Sequence, residues 1–114
     1  LCADIDRFSE AAVAANAQAN GVVLGYVGED LLERAPPDVD VICAGDICYE
    51  KPMTDAVLAW LRRARDRGVR VLIGDPGRTY FPRTGLDFLA EYQVPTTREL
   101  EDQEIKRSSV WAMP

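Results

Sequence analysis

Four aspartates stand where strands are expected to end. Asp46 closes the apolar run "VDVICAG", and Tyr49 follows it in "GDICYE". Asp4 follows "LCA", Asp30 follows "VVLGYVGE", and Asp75 follows "VRVLIG". A carboxylate can accept several hydrogen bonds and hold a cation, and a phenol adds a hydroxyl and a π face. An acid just past a parallel strand can take both hydroxyls of a ribose. Asp4 is placed for that role, with Asp6 as its competitor. Asp30 is placed to meet an adenine amino group, with Leu31 offering the base an apolar surface. Asp46 and Tyr49 would then stand over the reacting atoms. Any one aspartate here serves equally well as a helix N-cap. Four at four strand ends point instead to a ligand crevice along one edge of a sheet.

The elements that must position these acids alternate along the chain. "LCAD" (1–4) reads as the tail of a strand. Asp6 can cap a helix over Arg7–Ala19 that carries Phe8, Ala12, Ala15 and Ala19 on one face. Asn20-Gly21 stops that helix, and "VVLGYV" (22–27) is the next strand. "ERAPPD" (33–38) is a loop, because consecutive prolines continue neither element. "VDVICAG" (39–45) is a strand. Pro52 suits the first turn of a helix over Met53–Asp66, with Val57, Leu58, Leu61 and Ala64 as its apolar stripe. Arg62, Arg63, Arg65 and Arg67 load its final turns, as the helix dipole favours. Then come the strand "VRVLIG" (69–74), the loop "DPGRTYFPR" (75–83) and a short helix near Gly85–Leu89. "AEYQVPTT" (90–97) and "IKRSSVWAM" (105–113) form an antiparallel pair. Trp60 and Trp111 belong to the core or a sheet face. The pattern predicts an α/β fold: a Rossmann-like, mostly parallel sheet with helices on both faces, in a single domain over 1–114.

Composition narrows the function. The chain has 114 residues, 47% hydrophobic and 28% charged, the balance of a folded domain with a modest core. Its net charge is −6, from 13 basic and 19 acidic residues. A surface that grips phosphates needs the opposite sign, so nucleic acid is not an expected partner. There is no histidine, which removes Ser-His-Asp and Cys-His chemistry and the commonest metal ligand. Cys2, Cys43 and Cys48 are odd in number and lack zinc-site spacing, and they read as reduced, buried thiols in a cytoplasmic protein. No apolar run approaches the ~20 residues that cross a bilayer. No membrane or metal is expected.

Four stretches together resemble a known family: "ADIDRFSEAAVAANAQANGV", "GEDLL", "VDVICAGDICYEKP" and "VLIGDPGR". They resemble the seven-stranded, class I S-adenosylmethionine-dependent methyltransferases. The resemblance is greatest to the branch of electron-transfer flavoprotein β-subunit lysine methyltransferases and bacterial predicted nicotinamide N-methylases. Asp-x-x-Tyr after the fourth strand, here Asp46 to Tyr49, is more specific to that lysine-modifying branch than to the wider class, and "GDPGR" (74–78) narrows the resemblance further. The resemblance implies S-adenosylmethionine as cofactor, with Asp4 and Ile5 at its ribose and Asp30 and Leu31 at its adenine. It implies that Asp46 and Tyr49 are catalytic. It also implies that Asp75 and Arg78 shape the substrate-binding side, and that the acceptor is a protein lysine or a small amine.

One departure stands out. The family's glycine-rich turn after its first strand should lie just upstream of Leu1. The sequence is therefore expected to be the C-terminal part of a longer methyltransferase domain, and to bind the cofactor weakly or not at all alone. Rival readings come from other classes. A nicotinamide-dependent oxidoreductase would share the strand-end acid, but should carry a Tyr-x-x-x-Lys pair or a histidine. A non-catalytic module could keep the fold and lose the activity.

Overall fold

The computed structural model describes residues 1–95 and 105–114. The chain forms two compact units, residues 1–35 and 36–114.

In the first unit, strand β1 (Cys2–Ala3) pairs in parallel with β2 (Tyr26–Val27), Cys2 opposite Tyr26 and Ala3 opposite Val27. Between them runs helix α1 (Arg7–Ala19). Asp6 is its N-cap as expected, its carboxylate accepting from the Phe8 N–H at 2.9 Å. The expected face is not the one the unit covers. Phe8 is 69% exposed, with the Arg7 guanidinium over its ring, while Ala17 is buried and Ser9 and Val13 are half-buried. Alanines encircle α1, so periodicity alone leaves its inward face undecided. The strand expected over 22–27 shrinks to two residues, because β1 offers only two to pair with. A single 3₁₀ turn, Leu31–Glu33, follows.

The second unit is a four-stranded sheet in the order β3 (Val41–Gly45), β4 (Arg70–Asp75), β6 (Ile105–Met113), β5 (Asp87–Pro95). β3 and β4 are parallel, joined by helix α2 (Lys51–Asp66); β6 is antiparallel to both its neighbours. Pro52 lies in the first turn of α2, where its missing N–H costs nothing. Val71, Ile73 and Asp75 alternate inward on β4 and are buried. On α2, Leu58, Trp60, Leu61 and Ala64 are buried with them. Burying side chains such as Leu61 and Ile73 stabilises the unit by roughly 1.5–3 kcal/mol each. Arg67 near the end of α2 donates to the Pro36 carbonyl at 2.7 Å.

Two expectations fail here. No helix forms near Gly85–Leu89: Gly85 sits at φ +81 and Asp87 already begins β5. Strand geometry lets Phe88 meet Trp111 across the ladder, ring edge to face at 5.2 Å, and a helix would turn it away. Phe81 flanks the same indole at 5.4 Å. Leu89 is a bulge, an extra residue between the Phe88–Trp111 and Ala90–Val110 pairs. Second, Cys43 is not buried. It points to the face of β3 opposite the inward-facing positions and is exposed, as is Val41, whereas Cys48 is fully buried. Thr96 and Thr97 of the expected strand lie outside the described residues.

Candidate active site

The strand-end acids fall into two pairs, one at the carboxyl edge of each parallel strand pair. In the first unit, Asp4 directly follows β1, and its N–H donates to the Val27 carbonyl at 3.1 Å. Its Oδ1 accepts from the Asp6 N–H at 2.9 Å, which makes a tight turn into α1. Asp30 lies just past β2 and caps the 3₁₀ turn, its Oδ1 accepting from the Leu32 N–H at 2.9 Å. Both acids remain exposed, as does Ile5, while Leu31 is half-buried. Exposed carboxylates beside small apolar surfaces suit the hydroxyls and base of a nucleoside, so these residues fit the cofactor that the family resemblance implies.

A residue that the sequence did not single out ties this edge together. The Tyr26 hydroxyl, from β2, shares its one proton between the main-chain carbonyls of Asp4 at 2.8 Å and Asp6 at 3.1 Å. It thereby clamps the loop that carries Asp4. Desolvation, then the charges of Asp4, Glu10 and Asp6, raise its pKa above the usual tyrosine value.

In the second unit, Asp46 follows β3 and Asp75 ends β4, so parallel pairing brings them to one edge. Asp46 has a left-handed backbone, φ 52, the only positive φ at a non-glycine among the described residues. Aspartate tolerates that region better than most side chains. Its N–H donates to the Gly74 carbonyl at 2.9 Å, so the turn is bound to the neighbouring strand.

The carboxylate of Asp46 is gripped at both ends by Arg78. Nε donates to Oδ1 and Nη2 to Oδ2, each at 2.6 Å, the bidentate fork that planar guanidinium favours. Arg78 is itself held by Asp75. Asp75 Oδ2 accepts from the N–H groups of Gly77 at 2.7 Å and Arg78 at 2.9 Å. Gly77 supplies the φ of +91 that this turn requires. Asp75 is 3% exposed, and its other oxygen, Oδ1, is buried without a hydrogen-bond partner among the described residues. The hydrogen bond from Arg78, then the charges of Arg78 and Lys106, hold the Asp46 carboxyl below the usual range against the opposing effect of burial.

Two hollows flank this network. One, of about 220 Å³, is lined by Asp75, Gly77, Arg78, Phe81, Ser109 and Trp111. The other, of about 330 Å³, is lined by Asp46, Gly45, Gly74, Pro76, Val94 and Lys106. Tyr49 stands in the β3–α2 loop and is 58% exposed. Next to it Cys48 is buried. Burial and the charge of Asp75 push its thiol up, a Thr54 hydrogen bond pulls the other way, and Asp46 adds a further rise.

No family model matches the chain. Individual proteins do. The electron transfer flavoprotein beta subunit lysine methyltransferase of Xenopus laevis is 33% identical over 98% of this chain and 48% of its own length. The mouse protein of that name is 32% identical over 97% of this chain and 46% of its own length. The chain is similar in sequence to these lysine methyltransferases. It spans about half the length of the curated relatives it matches. The crystal structure of the N-methyltransferase NodS from Bradyrhizobium japonicum WM9 superposes with a TM-score of 0.55, covering 98% of this chain and 71% of that one. At 12% identity that likeness is one of fold: the mixed α/β arrangement is shared with that structure.

Sequence reasoning paired Asp46 with Tyr49 and Asp75 with Arg78. The structure joins three of them, Asp46, Arg78 and Asp75, into one chain of contacts. Tyr26 and Cys48 were missed as parts of the site. The cue for Tyr26 was faint: a lone phenol in a strand that ends near two acids.

Proposed function

We propose that the full-length protein is an S-adenosylmethionine-dependent N-methyltransferase that modifies a lysine side chain of another protein. The observation that carries this reading is the identity of 33% across nearly the whole chain to a lysine methyltransferase. The bound cofactor supplies a methyl group on a sulfonium, ready for in-line displacement. The residues of this chain then have to bind, orient and keep water away. Asp4 and Ile5 hold the ribose, and Asp30 and Leu31 hold the adenine. Asp46 accepts a hydrogen bond from the acceptor ammonium and keeps the nitrogen aimed as its proton passes to solvent. A carboxylate held below its usual range stays ionised, so Asp46 serves to orient rather than to store the proton. Tyr49 offers its ring face to the cation. Asp75 and Arg78 shape the acceptor side.

The test is mass spectrometry of a cell lysate incubated with the full-length protein and isotopically labelled S-adenosylmethionine. Label on lysine residues of a protein supports the reading. Label confined to small amines replaces the acceptor with a metabolite. No label in any fraction overturns the activity.

A further inference from the structure

Arg78 and Asp75 make no sense as independent substrate contacts. The fork of Arg78 is already closed on Asp46, with both carboxylate oxygens engaged at 2.6 Å. Asp75 is 3% exposed, and the oxygen it uses faces two main-chain N–H groups of the Gly77–Arg78 turn. Asp46, in turn, sits in a left-handed conformation that its N–H ties to the Gly74 carbonyl, so its carboxylate leaves the strand end toward Arg78.

We propose that Asp75 and Arg78 are positioning residues that act through Asp46: Asp75 sets the turn, the turn sets Arg78, and the guanidinium fork fixes the plane of the Asp46 carboxylate that meets the acceptor amine. This deepens the reading of the site as a methyltransferase acceptor edge and rests on it. The geometry has a chemical consequence. A carboxylate clamped in one plane by two parallel N–H groups presents its remaining lone pairs in fixed directions. A nitrogen that must attack in line benefits from that fixity. Arg78 does this better than lysine could, because an ammonium is a point charge with no fork. Among the described residues, the charged groups that act on the Asp46 carboxyl are Arg78, from the turn after β4, and Lys106, from β6.

The experiment compares Arg78→Met, Arg78→Lys, Asp75→Asn and Asp75→Ala in the full-length protein, with two readouts. The first is kcat and KM for methyl transfer. Arg78→Met and Asp75→Ala are expected to lower kcat roughly 10- to 100-fold, as misplacement of a reacting group does. KM for the acceptor should stay within about threefold, since ground-state binding is not what is lost. Arg78→Lys should fall between wild type and Arg78→Met. Asp75→Asn keeps an oxygen for the turn while losing the charge, so it should stay within about fivefold of wild type. The second readout is the NMR titration of the Asp46 carboxylate, which needs no substrate. It should move upward in Arg78→Met and Asp75→Ala and stay near wild type in Asp75→Asn.

If Asp75→Asn loses as much turnover as Asp75→Ala, Asp75 meets the substrate by its charge and the proposal fails. An effect confined to KM in Arg78→Met makes Arg78 a substrate contact and also overturns it. So does an Asp46 titration indifferent to Arg78. Should wild type transfer no methyl group while the titrations behave as stated, the activity reading falls and the positioning network stands.

Discussion

Asp46 is the residue on which most of the chemistry converges, and its backbone dictates how it can be tested. Asparagine tolerates φ near +52 about as well as aspartate does, so Asp46→Asn removes the charge and spares the loop. Turnover is expected to fall roughly 100-fold, the scale of a lost acid–base or orienting group. Cofactor affinity, measured by calorimetry on the full-length protein, should stay unchanged. Equal losses in both would make Asp46 structural. The same residue predicts a pH dependence of stability. Arg78 holds its folded-state carboxyl below the usual range. The stabilisation is therefore present above the ordinary aspartate value of about 3.9 and fades as pH falls through the lowered one. The pair is half-exposed, so its contribution is about 1 kcal/mol or less. The gap in urea midpoint between wild type and Arg78→Met should thus narrow below about pH 4. A gap that widens in acid would contradict the assignment. The identities of the four acids could be read from the sequence, because a strand followed by aspartate is a local pattern. The Asp46–Arg78 fork could not, since its partners are 32 residues apart and only strand pairing brings them together.

At the scale of elements, legibility followed the strength of local signals. Helix α2 was clear: Pro52 marks its start, and Leu58, Leu61 and Ala64 repeat at helical spacing. β2 was overextended, because Val22, Val23 and Leu24 favour strands yet have no partner strand among the described residues, and Val23 is 99% exposed. A strand's length is fixed by what it pairs with, which no propensity encodes. β2 nonetheless contributes the Tyr26 clamp on the β1–α1 loop. Tyr26→Phe keeps the ring and removes the proton shared between the two carbonyls. In the full-length protein it should weaken cofactor affinity by about three- to tenfold with the melting profile nearly unchanged, because the loop bearing Asp4 loses its anchor. An unaltered dissociation constant would mean that the Asp4 loop is held by its own turn.

At the scale of the molecule, the chain distributes its thiols unevenly. Cys43 lies on an open sheet face, while Cys48 is sealed and its thiol is pushed up by burial and by acidic neighbours. An alkylating reagent at neutral pH should label Cys43 rapidly in this chain and reach Cys48 only on unfolding, as peptide mapping would show. Early labelling of Cys48 would mean that the loop carrying Tyr49 opens freely. The α/β class was legible because alternating strands and helices force it. The exposure of Cys43 was not, because an apolar run looks alike whether one or both faces of its strand are covered.

Leu89 gives the β5–β6 hairpin a surplus residue. Deleting it would join Phe88 directly to Ala90 and leave an uninterrupted ladder in which Phe88 still faces Trp111 and Ala90 still faces Val110. The hairpin is therefore built to shorten by one without any side chain changing sides, whereas a deletion at a paired position would flip the rest of the strand inside out.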